Sequence, residues 1–134
     1  MIEFPINGVE YRAGNMDVFT QFHVSRRLPA LLVGNIVTRP KAVEPEEVVF
    51  MYTMAFRGME NEDAEFILRT CLGVVYRKQD TGWAPVQAKG GGLMFSDISM
   101  DTMIMLVDAV IVDNLSRFMP APQPLPTDEP KLQE

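Results

Sequence analysis

Few side chains in this sequence could carry out covalent or acid–base chemistry. The chain has a single histidine, His23, and a single cysteine, Cys71, so a zinc site built from the usual ligands cannot form. Cys71 lies on an apolar helical stripe, where cysteine behaves as a small hydrophobic residue. Glu46 and Glu47 open a predicted helix, and its dipole explains them without catalysis. We therefore predict no enzyme, and no catalytic, cofactor-binding or metal site.

Composition and charge limit the partners and the environment. The chain has 134 residues and a net charge of −6, which favours one soluble domain and argues against a nucleic-acid partner. A lone cysteine excludes an internal disulfide. The first residues, MIEFPINGVEY, lack the basic start and apolar core of a signal peptide. We expect a cytoplasmic protein.

The stretch from residue 97 to 119 organises the predicted fold. From Met103 to Val112 every residue but Asp108 is apolar, so a helix here must be covered on most sides. The run is about half the ~20 residues that a membrane span needs, which argues against a membrane protein. Asp97 and Ser99 are candidate N-caps. The pattern predicts a central, very apolar last helix.

The remaining segments supply a hairpin and more helices. Alternation over residues 2–13 around Asn7-Gly8 predicts a β-hairpin with a tight turn. Helices are predicted from residue 16 to 28, from 45 to 57 and from 61 to 78, and the first is expected to turn its aromatic residues inward. Residues 79–95 read as irregular, with at most a short strand at 83–86.

The predicted fold class is therefore mainly α (α+β). It consists of an N-terminal β-hairpin followed by about four helices, the last of them central. We predict one globular domain over residues 1–119, with the hairpin at 2–13 and the helical body at 16–119. Residues 120–134 carry five prolines and no apolar periodicity, which predicts a disordered, proline-rich tail. The ten methionines indicate either a loosely specified core or an adaptable binding surface.

The order of short motifs resembles the tail assembly chaperone family of long-tailed bacteriophages and prophages. The matching stretches cover most of the predicted domain. They are FPINGVEYRAG (4–14), QFHVSRRLP (21–29), DAEFILRTCL (63–72), GWAPV (82–86), LMFSDI (93–98) and NLSRF (114–118). The opening hairpin with QFHV, and the WAPV and LMFSDI pair, are the most specific of these.

This resemblance implies a function in phage tail assembly. Such proteins bind the long, helical tape-measure protein, keep it soluble in the host cytoplasm, promote tail-tube assembly around it, and are absent from the mature virion. Many are also made as a longer frameshifted product whose added part contacts the tail tube protein. Two other classes stay open: a structural tail or head–tail connector component, and a small regulatory adaptor.

A chaperone for apolar helices would use a groove lined by flexible apolar side chains. The candidate partner-binding residues are Met100, Met103, Ile104, Val107, Ile111 and Trp83. The alternative, which the pattern favours, is that all of these positions belong to the core. We also expect self-association to a homo-oligomer, because the last helix has more apolar surface than a small domain readily covers.

Overall fold

The computed structural model describes residues 1–40 and 43–116. This part of the chain is an α+β fold with a four-stranded antiparallel sheet and five helices. The strands are β1 (Ile2–Ile6), β2 (Val9–Ala13), β3 (Val75–Gln79) and β4 (Gly82–Pro85). The helices are α1 (Val18–Ser25), α2 (Ala30–Val37), α3 (Pro45–Arg57), α4 (Asn61–Leu72) and α5 (Met100–Leu115). The predicted disordered tail at 120–134, and residues 117–119 of the predicted domain, lie outside the described residues.

The N-terminal hairpin is confirmed. Asn7 and Gly8 have φ angles of 51° and 80°, the positive pair that a tight type I′ turn requires. The strands pair so that Phe4 lies opposite Tyr11. The sheet order is β1-β2-β3-β4, so β1 is an edge strand. Pro5, which has no N–H to donate, therefore lies where a sheet tolerates it.

The predicted third helix is too long. α4 ends at Leu72 and the chain turns at Gly73, after which β3 pairs with both β2 and β4. Val75 suits a helical stripe and a strand equally well, and here it lies opposite Ala13 on β2. The segment predicted as irregular supplies β4, which begins at Gly82 with a φ of 140°. The fold consequently contains more sheet than predicted.

The first helix is shorter than the predicted range of 16–28, and an additional helix follows it. α1 begins after Asp17, whose side-chain Oδ1 accepts the N–H of Thr20 at 2.8 Å. The predicted start at residue 16 is therefore two residues too early. α2 follows Pro29 and continues through Gly34 to Val37, although glycine weakens a helix interior. The described residues therefore contain five helices rather than about four.

α5 lies at the centre of the core. Leu106, Val107, Val110 and Ile111 are fully buried, and α5 packs against α3, α4 and the β1–β2 hairpin. Ser99 is its N-cap, with the side-chain oxygen accepting the N–H of Thr102 at 3.2 Å. Among the described residues no helix is long and apolar enough to cross a membrane.

Candidate partner-binding surface

An apolar groove runs between α3, α4 and α5. Its volume is about 320 Å³, at the lower end of the range for ligand-binding clefts. Most of its lining is aromatic, aliphatic or methionine. The lining residues are Tyr52, Thr53, Phe56, Arg57, Leu68, Met100, Met103 and Ile104. The groove can therefore receive a few apolar side chains of a partner.

The structure brings three of the predicted binding residues together in this groove. Met100 is 60% exposed at the start of α5, Met103 is half-buried, and Ile104 is buried in the groove wall. Val107 and Ile111 lie further along α5 and are fully buried in the core. An all-round apolar helix gives no sequence signal for which of its sides is covered.

Trp83 lies apart from the groove. It is on β4, paired opposite Lys78 of β3, and it is half-buried. The guanidinium carbon of Arg12 is 4.3 Å from the centre of the Trp83 ring, a distance typical of a cation–π contact. This contact gives Trp83 a structural partner within the sheet.

A buried charged cluster supports one wall of the groove. Asp108, the lone charge in the apolar run of α5, accepts two hydrogen bonds from Arg39, at 2.9 Å from Nη1 and 3.0 Å from Nη2. The Tyr52 hydroxyl donates to Asp108 Oδ1 at 2.8 Å. Burial, with the adjacent carboxylate, raises the pKa of Tyr52 well above its ordinary value. Tyr52 is therefore held in place as a neutral donor.

Tyr52 and Arg39 were not predicted, although the sequence contains one signal for them. A carboxylate within a buried apolar helix needs a cation or several donors, so Asp108 required a partner elsewhere in the chain. The sequence did not say which arginine or tyrosine would supply it. Arg39 lies 69 positions from Asp108 and Tyr52 lies 56 positions away.

A second exposed apolar surface is on α1. Val18, Phe19 and Phe22, which we call the α1 face, are 75%, 79% and 61% exposed. The prediction that the aromatic residues turn inward is therefore wrong. Val24, about half a turn around the helix from Phe22, is the buried residue of α1. Arg27, just past the helix end, stacks 4.3 Å over the Phe66 ring.

A comparison with protein-family models identifies the family. Residues 7–126 match the model described as "Phage tail assembly chaperone protein, TAC". The chain belongs to the phage tail assembly chaperone family. The match spans most of the sequence and includes every described helix, so the resemblance in the short motifs is confirmed. Comparisons with curated proteins and with solved structures gave no match.

The family match covers both of the apolar surfaces described above. The groove and the α1 face of this chaperone both lie inside the matched range of 7–126. The match also continues for ten residues past Ser116, the last residue that the structure describes. The family is one of assembly chaperones rather than of enzymes.

Cys71 and His23, the side chains with potential reactivity, each have apolar or aromatic surroundings. Cys71 is fully buried, and burial raises the pKa of its thiol to about 12, so a reactive thiolate is scarce at neutral pH. His23 is exposed on α1 and meets the Phe22 ring edge-on, with 5.6 Å between ring centres. In residues 1–40 and 43–116 no cluster of His, Cys, Asp or Glu could hold a metal ion.

Proposed function

We propose that this chaperone binds the tape-measure protein of its phage through the apolar groove. It keeps that client soluble in the host cytoplasm, promotes tail-tube assembly around it, and is absent from the mature virion. The proposal depends on one observation above the others. A member of a tail assembly chaperone family presents a groove with the exposed Met100 at its mouth.

The groove suits an apolar stripe on a helix. A bound amphipathic helix places anchors at positions i, i+3, i+4 and i+7 into a hydrophobic groove. Met100 and Met103 are spaced three positions apart on α5, so they share one face. Methionine side chains are flexible and polarisable, and can fit successive client segments of different sequence. A client with repeating apolar helices would be accommodated in this way.

The charge of the chaperone complements this role. Its net charge of −6 keeps a complex with an apolar client dispersed through mutual repulsion. The tail tube protein is the second partner in the proposal, as the protein that polymerises around the client. Self-association to a homo-oligomer, through the apolar surface of α5, is part of the same proposal.

Co-expression with the tape-measure protein tests the proposal, with solubility and co-purification of the client as readouts. Met100→Asp should fold normally and lose the client, because the charge lies at the mouth of the groove. Met94→Asp is the matched control, since Met94 is 56% exposed and does not line the groove. Val107→Asp should abolish folding, because Val107 is fully buried.

Two outcomes would overturn the proposal. If the client precipitates beside the wild-type chaperone, client binding is rejected. If Met100→Asp and Met94→Asp hold the client equally well, the groove is not the contact surface. Purified virions give an independent reading. A stoichiometric amount of this protein in mature particles would support a structural tail or connector component instead.

A further inference from the structure

We propose that the α1 face is covered by residues 117–126 of the same chain, folded back from the end of α5. This inference concerns a surface outside the client groove and goes beyond the proposed function. The occupant is a segment of this chain, rather than a second copy or the client.

The α1 face has the character of a docking surface. Single exposed apolar residues are ordinary, whereas a contiguous exposed patch marks a binding site. Val18 and Phe22 are one helical turn apart and line a shallow groove of about 270 Å³ together with Gln21 and Ser25. Phe19 extends the apolar surface beside them, at 79% exposure.

The end of α5 is fastened to the start of α1. In the last turn of α5, the Asn114 side-chain oxygen accepts the backbone N–H of Met16 at 2.8 Å. The amide nitrogen of Asn114 donates to the carbonyl oxygen of Gly14 at 3.2 Å. Val18, the first residue of the α1 face, follows Met16 by two positions. The chain beyond Ser116 therefore starts beside the first turn of α1.

The segment is long enough to cover the face. Ten residues in an extended polyproline conformation span about 31 Å, whereas the eight residues of α1 span about 12 Å along the helix axis. Reach therefore does not limit the contact. A turn or a detour around the end of α5 still leaves sufficient chain.

The composition of the segment fits an aromatic surface. Residues 117–126 read RFMPAPQPLP, with four prolines, one phenylalanine, one methionine and one leucine. Proline-rich segments dock on exposed aromatic rings with little loss of chain entropy. Residues 127–134, TDEPKLQE, carry three acidic groups and one lysine, and are outside the proposal. The family match ends at residue 126, at the boundary between these two compositions.

Tethering favours the chain's own segment over another occupant. A binding segment on a short flexible connection has an effective concentration on the order of millimolar. A second copy of the chain present at micromolar concentration competes at a large disadvantage. The α1 face of the free chaperone is thereby occupied within each molecule.

Nuclear Overhauser measurements on the labelled full chain test the contact. We expect cross-peaks between the rings of Phe19 and Phe22 and protons of residues 117–126, and none from that segment to Phe50, an equally exposed ring on α3. A mixed sample of labelled and unlabelled chains separates contacts within one chain from contacts between chains. Absence of these cross-peaks overturns the proposal, and so does their appearance only between chains.

A pair of leucine variants in the full chain provides a second test. Leu125→Ser should speed amide hydrogen exchange across α1 roughly fivefold, because it removes an apolar contact that holds the segment on the helix. Leu132→Ser, in the acidic end, should leave exchange across α1 unchanged. Equal exchange in the two variants rejects the contact. Client co-purification is measured in parallel, so a failure here stays separate from a failure of the groove proposal.

Discussion

Replacing Arg39 by methionine should strongly destabilise the protein. Arg39 makes two hydrogen bonds to Asp108, at 2.9 and 3.0 Å, and both side chains are largely buried. Its loss leaves a carboxylate without a counter-ion in the middle of α5. Breaking a buried pair in this way costs about 3–5 kcal/mol. Native domains are stable by only about 5–15 kcal/mol, so much of the stability should be lost.

A double-mutant cycle separates the pair from its surroundings. Asp108→Leu combined with Arg39→Met removes both charges. It leaves the buried Tyr52 hydroxyl without its acceptor, at a cost of about 1–3 kcal/mol, while Asn35 loses the Arg39 donor at 3.2 Å in the single and the double variant alike. The double variant should therefore be more stable than Arg39→Met alone. The coupling between the two sites should be at least about 2 kcal/mol, within the range for residues in one network.

Urea unfolding followed by circular dichroism measures these differences. With a denaturant slope of about 1–3 kcal/mol per molar urea, Arg39→Met should lower the unfolding midpoint by roughly 2 M. Arg69→Met is the matched control. The Arg69–Glu65 pair is exposed, at 3.4 Å, and its loss should cost less than about 1 kcal/mol. If Arg39→Met costs no more than this control, the reasoning about a buried pair is refuted.

Two further predictions concern the thiol and two glycines. The unfolding free energy should fall as pH rises above about 9, because the unfolded chain releases the Cys71 proton near 9.0 while the folded state holds it to about 12. The loss should reach roughly 2–3 kcal/mol by pH 11, and Cys71→Ala should remove this part of the slope in urea titrations at several pH values; parallel slopes would contradict it. Gly34→Ala should raise the thermal midpoint, because the added Cβ meets nothing within 4 Å on α2 and alanine favours a helix interior by about 1 kcal/mol. Gly8→Ala should lower the thermal midpoint and cost a similar free energy of unfolding, because Gly8 has φ +80°, which alanine adopts poorly. If both glycine variants shift the midpoint in the same direction, the explanation by backbone conformation is contradicted.

Local signals allowed part of the fold to be predicted. Asn7-Gly8 defines the hairpin by itself, because a type I′ turn needs those residues in adjacent positions. Ser99 similarly marks the start of α5. β3 was missed because its identity depends on pairing with β2, and Ala13 and Val75 are far apart in the sequence. A helical stripe and a strand share the same apolar residues over so short a span.

The candidate binding residues on α5 were predictable only where the exposure of a side chain follows from its position along the helix. Met100 is in the first turn of α5, where one side of the helix remains uncovered. Val107, in the middle of the same helix, is fully buried, because α5 packs against α3, α4 and the sheet. The sequence does not show how these elements are arranged around α5. For α1, Phe22 and Val24 compete to face the core. The choice of Val24 depends on how neighbouring elements pack, rather than on hydrophobicity.

The central position of α5 also sets when the protein can fold. The segments that pack around α5 are synthesised before it, so the ribosome releases them while their main packing partner is still missing. At about 5–20 residues per second, the interval between completing α4 at Leu72 and completing α5 at Leu115 is roughly 2–9 s. During that time the apolar residues of α3 and α4 have little to pack against. The nascent chain of this chaperone therefore exposes apolar residues of its own. Its folding should begin only when translation nears the end of α5.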